Sequence, residues 1–142
     1  MGRPSFEAAV SDFSHAVGLL VRRVRAAASS HDLSWTETAV LARLARDGPA
    51  TTADLARAEG ITPQSMGTIV ATLEAASVVE RRPHPTDGRQ MHVALTAKGL
   101  AVRKSRQKAK ETWLGQAIAQ LDKDDQATLF AATEIVKRLV EL

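Results

Sequence analysis

The stretch TTADLARAEGITPQSMGTIVATLEAASVVERRPHPTDGRQMHVALTAKG, residues 51–99, decides the fold. A first helix begins at Thr51 or Thr52, with Asp54 standing where a capping box places an acid that reaches back to an unpaired amide. Gly60 ends it and supplies the positive φ of a tight interhelical turn. Leu55 and Ile61 are apolar at core spacing, and Ala56 is small enough for close helix contact. Thr62 then caps a second helix, and Pro63 fits its first turn, where no amide is needed. Met66, Ile69, Val70 and Leu73 recur at helical spacing and face inward.

The opposite face of that second helix carries Gln64, Ser65, Thr68 and Thr72. Short and amide side chains suit a surface lying against base edges and phosphates in a major groove, and a Gln amide can both donate to and accept from adenine. A merely solvated helix face carries the same residues, so the segment C-terminal to the helix has to decide. Val78, Val79 and Glu80 lead into Arg81 and Arg82 as one strand, and Met91 to Leu95 form a second. Pro83, Pro85 and Asp87-Gly88 supply turn chemistry between them. This hairpin is too small to stand alone and must pack beside the helices. Its tip carries Arg81, Arg82, His84 and Arg89, and a guanidinium on a thin ribbon can enter a minor groove. Asp87 would repel phosphate, so it is read as holding an arginine, either Arg89 or one of Arg81 and Arg82, by a bidentate pair. Two helices and a basic hairpin in this order make a winged helix-turn-helix.

These residues resemble the MarR family of bacterial transcription regulators. The family's wing pattern of an Asp, one residue, an Arg, then a Leu-Thr pair and a Gly opening the next helix is matched by Asp87, Arg89, Leu95, Thr96 and Gly99. The resemblance extends over nearly the whole chain. It implies a triangular homodimer with Gln64, Ser65 and Thr68 in the major groove and Arg89 in the minor groove, with Thr62, Pro63 and Thr72 on the same helix and Arg81, Arg82, His84 and Asp87 completing the wing. Thr68 stands where many relatives have arginine. Ser77 stands where many have glycine, and a serine in a left-handed cap carries modest strain.

The flanks explain how such a reader is doubled. Phe6, Val10, Phe13, Val17, Leu20 and Val24 alternate in spacings of four and three, a continuous apolar seam along one long helix. Leu114, Ile118 and Leu121 form a further stripe, and Leu129, Ala132, Val136, Leu139 and Val140 another, with Asp122 as a cap between the two helices. One small domain has too little interior to cover all of these, which favours an interlocked dimer over an intramolecular bundle. Ser34 and Glu37 form a capping box for a bridging helix that Asp47-Gly48-Pro49 stops. The expected organisation is mainly α with a small β wing. Residues 1–33 are an N-terminal dimerisation helix, 34–98 the winged helix-turn-helix and 99–142 the C-terminal dimerisation helices, all in one interlocked domain.

Composition narrows the function classes. The 142 residues carry a net charge of +3 and no cysteine. Basic clusters sit at 81–89 and 103–110, while the last helix holds Asp122, Asp124, Asp125, Glu134 and Glu141. The absence of thiols fits a reducing cytoplasm and rules out thiol-based peroxide sensing and thiolate metal sites. No membrane span or signal peptide is visible. The four histidines, His15, His31, His84 and His92, show no metal-ligand spacing, and no nucleophile elbow or phosphate-binding glycine loop occurs, so neither an enzyme nor a cofactor is expected. His31-Asp32 reads as a turn. The expected partners are double-stranded DNA, a second copy of the chain and, from the resemblance, a small aromatic or lipophilic effector. His15, Arg22, Arg23 and Trp35 are candidates to line an effector pocket; the competing reading makes Trp35 core and the other three surface. A protein-interaction winged helix, or a non-specific DNA binder without an inducer, is the rival function, and the wing arginines argue against it.

Overall fold

Among the described residues, six side chains cap helices by accepting a hydrogen bond from an amide three residues on, one of them Thr96, which accepts from Gly99 at 3.0 Å. Ser5 accepts from Ala8, Ser34 from Glu37, Thr51 from Asp54 and Thr62 from Ser65, each at 3.1 Å, and Asp122 accepts from Asp125 at 2.8 Å. Each such cap stabilises its helix by about 1 kcal/mol. Together they set the element boundaries in a computed structural model that describes residues 2–28 and 33–142. The order is α1 (Phe6–Ala26), α2 (Trp35–Asp47), β1 (Ala50–Thr51), α3 (Thr52–Glu59), α4 (Pro63–Ala75), β2 (Val79–Pro83), β3 (Met91–Leu95), α5 (Ala97–Ala119) and α6 (Lys123–Val140). His31-Asp32 lies outside the described residues.

The chain divides into two compact units. Residues 29–107 hold the larger hydrophobic core. Val40, Leu41 and Leu44 of α2, Leu55 and Ala56 of α3, and Met66, Val70 and Leu73 of α4 close on Val78, Val79 and Val93, all nearly inaccessible to water. Each fully buried Leu or Val stabilises the fold by about 1.5–3 kcal/mol, so these side chains dominate the unit's stability. The stripe expected on α4 is buried at Met66, Val70 and Leu73, and Ile69 packs at its margin. Ile61 also packs on the core from the α3–α4 turn, where Gly60 takes a left-handed φ of 69°.

Three strands form an antiparallel sheet in the order β1-β3-β2. The register of the wing hairpin runs from Val79 opposite Leu95 to Pro83 opposite Met91. Pro83 is tolerated because it ends an edge strand, where its missing amide costs no ladder bond. The two-residue β1 was not anticipated: Ala50 pairs with Val93 and Thr51 with His92, fastening the start of α3 to the wing.

The other unit comprises residues 1–28 and 108–142. Neither α1 nor α6 buries a residue. Phe6 is 80% exposed, Phe13 55% and Val17 40%, and Val10, Leu129, Val136 and Leu139 are comparably open. The guanidinium of Arg23 lies 5.5 Å from the centre of the Trp113 ring, close enough for a cation–π contact.

Three sequence expectations need correction. Asp54 does not complete a capping box, because its carboxylate pairs with Arg57 one turn on. Trp35 is not a core residue: as the first residue of α2 it is 60% exposed. Asp87 does not clamp an arginine side chain, because its carboxylate is taken up by a backbone amide of its own turn. At the end of α2, Asp47 occupies an unfavourable place for an acid, near the negative end of the helix dipole. The hydrogen bond from Arg46 holds its carboxyl below the usual range, desolvation opposes this, and the charges of Arg46 and Arg43 reinforce it.

Candidate nucleic-acid interface

The face of α4 turned away from the core is polar and exposed at Thr62, Pro63, Gln64, Ser65, Thr68 and Thr72. Its first turn is internally ordered. The Thr62 hydroxyl accepts from the Ser65 amide and donates to the Ser65 hydroxyl at 2.9 Å. Thr72 donates its hydroxyl to the Thr68 carbonyl at 3.1 Å, and Thr68 lies 3.4 Å from the Gln64 carbonyl. Among the described residues the Gln64 amide has no partner, so its donor and acceptor remain available to a base edge.

Ser77, just beyond α4, has φ 64°, the one positive φ of a non-glycine among the described residues. Its carbonyl accepts the Thr96 hydroxyl at 2.6 Å, and the same hydroxyl oxygen accepts from the Gly99 amide at 3.0 Å. Gly99 is required here for space. A Cβ at this position would lie 2.0 Å from the Val78 carbonyl oxygen. The Leu-Thr and Gly of the sequence motif thus join the end of α4, the end of the wing and the start of α5.

In the wing, Asp87 accepts from the Arg89 amide at 3.0 Å through its carboxylate. It therefore shapes the turn that carries Arg89 and leaves the guanidinium alone. The arginines find other acids, which the sequence reading did not pick out. Arg81 pairs with Glu74 of α4 at 3.3 Å, and Arg82 hydrogen-bonds Glu80 on its own strand at 2.7 Å. Glu80 and Arg82 are two apart on a strand and share a face, a signal visible in the sequence. The Glu74–Arg81 pair crosses from helix to strand and has no such signature. Arg89 is exposed and, among the described residues, has no carboxylate partner. His84 is half-buried, with its ring 4.4 Å from that of His92. A cleft of about 600 Å³ opens between the start of α3 and the wing, lined by Asp54, Arg57, Arg81 and Gln90 among others.

The residues proposed for an effector are divided between the units. His15, Arg22 and Arg23 lie exposed on α1, and Trp35 opens α2. Among the described residues no cluster of three or more histidine or acidic side chains is arranged to hold a metal ion. Among them, too, no helix is long and apolar enough to cross a membrane.

Comparison with known proteins places this geometry. A family model described as the MarR family matches residues 31–90. An uncharacterized HTH-type transcriptional regulator of Mycobacterium bovis is 34% identical over 131 residues, covering 92% of each chain. An HTH-type transcriptional repressor of Mycobacterium tuberculosis is 37% identical over 89 residues, covering 62% of this chain and 64% of its own. The crystal structure of a transcriptional regulator from Thermotoga maritima superposes with a TM-score of 0.78 at 18% identity, covering 92% of this chain and 95% of that one, a likeness of fold.

Proposed function

Because the chain belongs to the MarR family of transcriptional regulators, we propose that it works as a homodimeric, ligand-responsive repressor on a pseudo-palindromic operator. It is a regulator of transcription and not an enzyme. The observation that carries the finer reading is Arg89. Arg57, Arg81 and Arg82 are each matched by a carboxylate of the chain, whereas Arg89 stands exposed on the turn with its charge uncompensated. A lone guanidinium on a narrow ribbon suits a minor groove, where A·T-rich segments concentrate negative potential. Gln64 and its threonine and serine neighbours on α4 suit the adjacent major groove.

The exposed seam of Phe6, Val10, Phe13 and Val17, with Leu129, Val136 and Leu139, supports the homodimer, since apolar faces of this length are ordinarily covered. Two-fold symmetry would set the recognition helices about 34–36 Å apart, one turn of DNA, and so give the operator its palindromic character. Repression is supported by the name of the M. tuberculosis relative. A regulator of this kind works in the cytoplasm, beside the chromosome.

The test is a fluorescence-anisotropy titration against the DNA upstream of the protein's own gene, beside a scrambled duplex, at about 150 mM salt. A preference of about a thousandfold for the native duplex supports the reading, and release of that complex by small aromatic acids would add the inducer. Equal weak binding to both duplexes favours a general DNA binder or a protein-interaction module.

A further inference from the structure

We infer that His84 is the positioning residue of the wing, the acceptor around which the turn presenting Arg89 is folded, and that it acts through this turn rather than by touching nucleic acid. This rests on the reading of Arg89 as a DNA contact. His84 Nδ1 accepts the amide of Asp87 at 3.0 Å and that of Thr86 at 3.2 Å, with the Thr86 hydroxyl at 3.3 Å. The His84 amide donates to the Gln90 carbonyl at 3.0 Å, and the Gln90 amide donates to the Asp87 carbonyl at 3.1 Å. Asp87, oriented in this way, accepts the Arg89 amide. The chain of bonds runs from the imidazole through Asp87 to the backbone of Arg89.

The chemistry of the ring makes this role separable from a direct contact. An imidazole nitrogen that accepts two N–H groups carries no proton, so the ring hydrogen of neutral His84 sits on Nε2. The side chain also imitates an Asn at the head of an Asx turn, because Asn Oδ1 occupies the place of His Nδ1. The Gln side-chain NH2, a donor, instead reaches the place of Nε2, the nitrogen left to donate to a phosphate. Asn and Gln therefore separate the two roles. The ring itself packs edge-on against that of His92 from β3, 4.4 Å between centroids.

The experiment compares His84→Asn, His84→Gln and His84→Ala with the parent for operator affinity. Asn should hold affinity within about threefold while Gln and Ala lose about tenfold, the worth of one hydrogen bond. Gln rescuing and Asn failing would make His84 a phosphate contact and overturn the assignment. Loss in all three variants would assign the ring's packing on His92, and parental binding in all three would assign no role; each overturns it equally. If the protein binds no DNA at all, long-range ¹H–¹⁵N spectra of the free protein still decide the turn. A proton on Nε2, and amide shifts at Thr86 and Asp87 preserved in Asn but not in Gln, support the inference. A proton on Nδ1 refutes it.

Discussion

The hydroxyl of Thr96 donates to the carbonyl of Ser77 at 2.6 Å across nineteen residues of chain, and so binds the exit of α4 to the exit of the wing. Removing that donor with Thr96→Val leaves a carbonyl short of a partner and should destabilise the protein by about 1–2 kcal/mol. Ser77→Gly, by contrast, removes a side chain from a left-handed backbone and should stabilise by about 1 kcal/mol. Urea denaturation of the two variants checks both signs.

Gly99→Ala should be among the most damaging single substitutions in the chain. The added methyl meets the Val78 backbone rather than a side chain that can swing away. A loss of about 3 kcal/mol or more, or failure to accumulate folded protein, is expected. A thermal midpoint indistinguishable from the parent's would show that the α5 start can shift freely.

Arg89→Ala and Arg81→Ala should differ sharply although both remove one positive charge from the wing. Arg89→Ala should weaken operator binding by about 1–3 kcal/mol and lower the salt slope by about one, with the thermal midpoint unchanged. Arg81 is already matched by Glu74, so its loss should cost affinity less than about threefold, on the order of an exposed ion pair. Anisotropy titrations at several salt concentrations measure both effects, and equal slopes in the two variants would refute the distinction.

Gln64→Ala should alter which operators are preferred more than it alters overall affinity. A side chain reading a base edge discriminates by about 1–3 kcal/mol at one base pair. Binding to a panel of single-base operator variants provides the measurement, and an unchanged ranking would remove Gln64 from the base readers.

Val17→Asp places a carboxylate in the middle of the α1 seam. Covered by a second chain, that charge would be buried without a partner, at a cost of several kcal/mol. Sedimentation should show the parent as a dimer and the variant as monomer or unfolded chain.

The reader was largely legible from the sequence because its signals are local. Thr51 and Thr62 as caps, Gly60 as a left-handed turn and Pro63 in a first turn each declare themselves within a few residues, and the structure has them in those places. The left-handed Ser77 was legible for the same reason. What escaped depended on partners distant in sequence. A two-residue β1 has no periodicity to detect, and only β3 makes it a strand. Glu74 and Arg81 meet because a helix ends where a strand begins. Asp87 was placed correctly in the wing but given the wrong partner, since an acid in a turn can bind a guanidinium or an amide equally well and only the fold decides. Trp35 misled because an aromatic residue at a helix start ordinarily anchors packing.

The uneven distribution of interior has a consequence for abundance. Residues 29–107 carry their own core, whereas α1 and α6 bury nothing. The first part owes its folding free energy to the chain alone; the second can gain it by association, and mass action then ties that gain to concentration. At low copy number such a regulator would be proteolytically vulnerable at its two ends and robust in the middle, so that accumulation of the protein protects the protein. Its lifetime would rise with its own level, a feedback written into the helices rather than into any promoter.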